Sequence, residues 1–258
     1  MKYDDLYVRA AGYRFRIRVH GEGRPLICLH TFAENAESWD QLQLPGYTIF
    51  AIDLIGHGKS DKPTEQEPYK LDNVLQQLRE LIFQISETTS YELLGYSLGG
   101  RLALQCALTM DKQPSHLILE STETGIKDEA ERLHRYLEDL NLSDRIRARS
   151  VDDFVKFWTA LPIFQSQRKL PALTRLSLRE QRLGNETHAL ANMLHGCGLG
   201  ITPYLGEQTT KAIYLYGEPD VAHDQLFPGL RIPNAGLDTH LEQPQLFNQT
   251  LIKLLKNK

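Results

Sequence analysis

The sequence predicts an α/β fold, a doubly wound and mostly parallel sheet carrying a helical insertion. Three observations predict it. Short, near-continuous apolar runs at 25–30 and 47–53 have the composition of parallel strands covered on both faces. Stretches with apolar residues at three-and-four spacing alternate with these runs, as helices packed on such a sheet require. Between one such strand and one such helix stands Gly-Tyr-Ser-Leu-Gly at 95–99, the G-x-S-x-G pattern of a sharp strand-to-helix turn.

The elements follow in order. Residues 6–11 and 13–20 are β-rich runs joined at Gly12, and they predict an antiparallel hairpin. In the segment 71–85, Val74, Leu75, Leu78, Leu81, Ile82 and Ile85 form one apolar stripe, which predicts an amphipathic helix. A strand at 93–96, a helix over 102–108 and a strand at 116–120 repeat the unit, with right-handed crossovers expected between parallel strands. From Gly125 to about Thr209 the alternation stops and helical patterns dominate, at 127–140, 151–161, 173–183 and 188–194. Strand character returns at 211–216, and a last helix is expected over 241–255. The implied organisation is a core of residues 1–124 and 210–258, with 125–209 a cap over the C-terminal edge of the sheet. That edge is where open α/β sheets bind ligands.

Composition excludes several classes. The chain has 258 residues, 41% hydrophobic and 24% charged, enough for one large core. Its formal charge of -4 gives no reason to expect a nucleic-acid or anionic-membrane partner. Neither a signal-peptide core nor an apolar run of spanning length is present, so a soluble, cytoplasmic protein is expected. Cys28, Cys106 and Cys197 are widely spaced among apolar or glycine neighbours, which predicts buried, reduced thiols and no metal site.

The chemistry centres on Ser97. A turn between strand and helix forces its residue into a strained backbone conformation, and flanking glycines leave room for the chain to pass. Ser97 is therefore expected at the sheet's C-terminal edge, at the positive end of a helix dipole, with the Leu98 amide free to bind a developing oxyanion.

Five segments occur in the order of the α/β-hydrolase superfamily: Leu-His-Thr-Phe at 29–32, Asp-Leu-Ile-Gly-His-Gly-Lys-Ser at 53–60, Gly-Tyr-Ser-Leu-Gly-Gly at 95–100, Gly-Glu-Pro-Asp at 217–220 and His-Leu-Glu-Gln-Pro at 240–244. Each is weak alone, but together they span nearly the whole chain. Gly95 to Arg101, the stretch 118–126, Trp-Thr-Ala-Leu-Pro-Ile-Phe at 158–164 and Gln181-Arg182 further resemble the menaquinone-pathway 2-succinyl-6-hydroxy-2,4-cyclohexadiene-1-carboxylate synthases. That resemblance implies a carbon–oxygen lyase on an α/β-hydrolase fold, releasing pyruvate from an enolpyruvyl precursor by 2,5-elimination. It implies a small anionic substrate and no cofactor.

The resemblance also assigns residues. Arg101, Arg135 and Arg182 match carboxylate-binding arginines, a task to which the guanidinium fork is suited. Trp158 and Tyr96 would line the pocket, with Thr159 where some relatives carry tyrosine. Phe32 and Leu98 would supply the oxyanion amides, although Thr31 stands where glycine is usual. His30 and His57 fill positions that are commonly structural in this fold. The acid would be Asp220. The histidine normally falls first in Gly-His-x-x-His, yet here the stretch reads Gly-Leu-Asp-Thr-His at 236–240, so Leu237 holds the catalytic place and His240 the second. The link after Asp220 also leaves little room for the usual helix and strand. Three readings stay open: His240 serves as base; another group such as His223 does; or the chain is an impaired ligand-binding homologue. A serine hydrolase of the esterase, thioesterase or aminopeptidase kind is the remaining alternative.

Overall fold

The computed structural model describes residues 2–206, 211–218 and 229–256. Asp220 and His223 lie outside them. The described residues form an eight-stranded sheet of order β1-β2-β4-β3-β5-β6-β7-β8. Strands β1 (Asp4–Ala10) and β2 (Tyr13–Gly21) pair as the expected hairpin, turning at Ala11 and Gly12, both with positive φ. β2 runs antiparallel to β4 (Gly46–Ile52), and every later pairing is parallel, through β3 (Gly23–Leu29), β5 (Glu92–Tyr96), β6 (Leu117–Glu120), β7 (Ala212–Gly217) and β8 (Leu230–Ile232). The sequence allowed little room for a strand after Asp220. Three residues suffice, because β8 is an edge strand paired only with β7.

The double winding is written in the alternation of buried residues along each strand. Ile27, Leu93 and Leu119 belong to one core, with Leu78 and Leu81 of α1 (Leu71–Ser86) and Leu102 and Ala103 of α2 (Leu98–Thr109). Their neighbours Leu26, Cys28, Leu94 and Ile118 face the opposite core, with Trp39 and with Phe247, Leu251 and Leu255 of the C-terminal helix. Successive side chains point to opposite faces of a strand, so an unbroken apolar run feeds both cores at once.

Between β6 and β7 the described chain is helical: α3 (Glu129–Arg147), α4 (Val151–Thr159), α5 (Ala172–Leu183) and α6 (Thr187–Cys197). Asp128 caps α3 by accepting from the Glu131 amide, and Ser150 caps α4 by accepting from the Asp153 amide. The expected last helix is two: α7 (Thr239–Glu242) and α8 (Pro244–Lys256), broken at Gln243 ahead of the proline. No described helix is long and apolar enough to cross a membrane. All three cysteines are buried and unpaired in disulfides, and burial raises the thiol pKa values of Cys106 and Cys197 to about 12.

Candidate active site

Ser97 stands between β5 and α2 with φ 49° and ψ -110°, a left-handed backbone that a side chain adopts only under strain. Its amide donates to the Glu120 carbonyl at 3.0 Å and its carbonyl accepts from the Arg101 amide at 3.0 Å, so strand and helix both hold the turn. The glycines are obligatory. A Cβ at Gly99 would lie 2.3 Å from the Leu29 carbonyl oxygen, and one at Gly95 2.5 Å from the Gly99 carbonyl oxygen. The first turn of α2 therefore lies directly against the end of β3, and the residues after β3 meet the serine.

A cavity of about 260 Å³ opens over this turn. Ser97, Tyr96, Leu98, Phe32, Arg101, Arg135 and Trp158 all line it, together with Thr31, Ser121, Glu123 and Leu237. Trp158 sits edge-on to Phe32 at 5.3 Å and packs on Phe164 at 5.5 Å, which ties α4 to the loop after β3. The Arg101 guanidinium donates to the Cys197 carbonyl at 3.1 Å and so joins α2 to α6. Burial lowers its pKa, and the charge of Glu123 opposes that shift. Arg135 is held by Asp139 at 2.8 Å, and Asp139 in turn accepts from the Gly200 amide at 3.1 Å. The Tyr96 hydroxyl and Arg101 Nε are buried without a hydrogen-bond partner, an expense that a ligand oxygen would remove.

Two of the residues singled out from the sequence are not brought to this cavity. Arg182 is buried elsewhere, its guanidinium 2.9 Å from Glu34, 3.2 Å from the Gln167 amide oxygen and stacked on Phe164. The reason is electrostatic: Glu34, fully buried behind the loop after β3, needs a counter-charge, and α5 supplies it. His240 is buried behind β5 and β6. Its ring stacks on Trp39 at 4.3 Å, meets Tyr96 at 5.2 Å, and its Nδ1 lies 2.9 Å from Glu120 Oε1. The cavity position in that loop belongs to Leu237, whose carbonyl accepts from the Ser121 hydroxyl at 2.8 Å.

His30 and His57 behave as the fold's usual pattern implied. Burial drives their pKa values down to about 4 and about 3, so both are neutral. His30 is contacted on both ring nitrogens: Nδ1 lies 2.7 Å from the Thr31 carbonyl, and Nε2 accepts from the Leu54 amide at 3.0 Å. The 53–60 segment is likewise architectural. Asp53 accepts from the amides of Ala36 and Lys59 and pairs with the buried Arg16 at 3.2 Å.

Sequence reasoning passed over two acids after β5. Glu120 closes β6 and Glu123 lies three residues further, in a stretch quoted only for its resemblance. The signal for Glu123 was positional: residues just past the C-terminal end of a parallel strand face the ligand edge of the sheet.

Comparison with known proteins gives the family. Residues 24–182 match the α/β-hydrolase fold family. A 2-succinyl-6-hydroxy-2,4-cyclohexadiene-1-carboxylate synthase from Citrobacter koseri is 31% identical over 90% of this chain and 93% of its own. A Bacillus subtilis (strain 168) protein carrying the provisional form of that name is 33% identical over 95% of both chains. The chain belongs to this synthase family. MenH from S. aureus superposes with a TM-score of 0.84 at 29% identity, covering 99% of this chain and 98% of that one. The site described here combines the serine turn, two cavity arginines and leucine at 237.

Proposed function

We propose that the chain catalyses the 2,5-elimination of pyruvate that yields 2-succinyl-6-hydroxy-2,4-cyclohexadiene-1-carboxylate. The observation that carries this reading is the single cavity joining Ser97 to Arg101 and Arg135 in a chain of that synthase family. The product's chemistry explains the fit. C2 bears the succinyl ketone, so the proton lost from C2 is α to a carbonyl, and its removal puts negative charge on the ketone oxygen. The Phe32 and Leu98 amides are the natural donors for that oxygen, the latter at the positive end of α2. Ring and succinyl carboxylates suit Arg101 and Arg135, with Tyr96 and Trp158 forming the walls. Ser97 carries the migrating proton between C2 and a base. A polyanionic intermediate of this kind stays in the compartment where it is made, so the enzyme acts in the cytoplasm.

The elimination asks less of the site than ester hydrolysis does. Hydrolysis needs the serine made nucleophilic and a second base-assisted step to release the acyl group. Elimination needs one proton moved from an activated carbon. The test is purified protein given the enolpyruvyl precursor, with pyruvate followed by coupled NADH oxidation. Stoichiometric pyruvate is expected, and Ser97→Ala should lose it while keeping its circular dichroism spectrum. Ester hydrolysis without pyruvate release would overturn the reading.

A further inference from the structure

We propose that Glu123 is the terminal proton acceptor of the elimination, taking the place of the absent imidazole at position 237. The inference rests on the functional reading above. Leu237 gives that corner of the cavity carbon atoms in place of a base. Among the described residues that line the cavity, Glu123 is the one carboxylate. Cys197 also lines it, but burial holds its thiol up at about 12, so it is protonated and accepts nothing. The arginines are permanently charged. A carboxylate is chemically sufficient, because the C2 proton is acidified by the succinyl ketone and its charge is received by fixed amides.

The backbone around Glu123 is held from several sides. Ser121 donates to the Leu237 carbonyl, Thr122 donates to the Glu120 carbonyl at 2.8 Å, and the Thr124 carbonyl accepts from the Leu205 amide at 2.8 Å. The segment leaves β6 directly beside the serine, since the Ser97 amide bonds the Glu120 carbonyl. The chain on either side of Glu123 is thus tied to the serine turn, and Glu123 shares the cavity lining with Ser97 and Arg101.

The step balances. The C2–H bond breaks as Ser97 Oγ takes the proton, and the Ser97 hydroxyl proton passes to a Glu123 carboxylate oxygen. The C2 electron pair forms the C2–C3 double bond, the C3–C4 pair moves to C4–C5, and the C5–O bond breaks. Pyruvate leaves as its enolate and takes the proton from Glu123 at its methylene carbon, which resets the site. No oxidant or co-reactant enters.

The test uses the full-length protein and the enolpyruvyl precursor, with Glu123→Ala, Glu123→Gln and Glu123→Asp compared to wild type. Glu123→Ala and Glu123→Gln should each lower kcat at least about a hundredfold with KM little changed, as expected for a lost general base. Glu123→Asp should keep part of the rate. Added formate should restore pyruvate release to Glu123→Ala in a concentration-dependent way, which a merely structural role would not allow. Wild-type turnover in Glu123→Gln, absence of formate rescue, or loss of turnover in His223→Ala or His240→Ala with Glu123→Ala still active would each overturn the proposal. In those cases wild-type pyruvate release still stands, whereas a wild type that releases none overturns the functional reading and this inference together.

Discussion

Glu120 and His240 are bound at two points: the carboxylate lies 2.9 Å from the ring Nδ1 and accepts from the His240 amide at 2.9 Å, while the Thr239 hydroxyl donates to the same oxygen. Both side chains are buried, and Trp39 and Phe247 close over the ring. The pair fastens the loop carrying Leu237 to the end of β6. His240→Ala should leave the Glu120 carboxylate buried without its ring partner and lower stability by about 3–5 kcal/mol, by analogy with broken buried pairs. Urea denaturation checks this, and an unchanged midpoint would mean that the pair holds nothing.

Position 237 lines the cavity beside the serine and offers a test of the serine's chemistry. Wild type should hydrolyse p-nitrophenyl acetate near the background rate. Leu237→His places an imidazole in the cavity lining, and initial rates with the same ester should rise at least roughly tenfold, a modest share of what a well-oriented base contributes.

The three arginines should separate into two groups. Arg101→Ala and Arg135→Ala should each weaken calorimetric binding of a succinyl-bearing dicarboxylate by about 1–3 kcal/mol, the cost of a lost charged hydrogen bond. Arg182→Ala should leave the affinity of the folded protein near wild type and lower its stability instead, because Glu34 loses its counter-charge. Equal binding losses in all three would contradict this division.

Asp238 gives a pH signature. Burial, then Glu34 and Glu242, holds its carboxyl well above the ordinary value of 3.8, so the fold prefers it protonated. That contribution is complete below the unfolded value and is lost as pH rises through the elevated native one. Asp238→Asn should therefore gain stability relative to wild type progressively as pH is raised from about 4. The Gln167 amide, which donates to Asp238, would meet an oxygen in the variant as well. Parallel stability-versus-pH curves for the two proteins would refute the assignment.

Ser97 carries strain that glycine relieves and alanine does not. Ser97→Gly should raise the unfolding free energy by about 1 kcal/mol, while Ser97→Ala should leave it nearly unchanged. Thermal melts of the two variants distinguish backbone strain from a lost hydroxyl contact.

The sheet, its helices and the serine turn were legible in the sequence because each is signalled within a short window. Apolar runs mark strands that feed two cores, and Gly95 and Gly99 mark a turn where no Cβ fits. Leucine at 237 was legible too, as a departure from a known spacing. The roles of Arg182 and His240 were not. Their partners lie 148 and 120 positions away, and an arginine or histidine carries no local mark of the carboxylate it will neutralise. Glu123 was hidden for a different reason, since its neighbourhood is assembled from β6, α2 and α3 only on folding.

Swinging α5 outward would strip Arg182 and Glu34 of each other in apolar surroundings. At about 4 kcal/mol, such an opening is populated in roughly one molecule in a thousand. In the cavity lining Arg135 of α3 is 42% exposed, so the site presents a cation already in contact with water. A substrate approaching on that side meets a charged sill, and turnover should slow with ionic strength before it responds to viscosity.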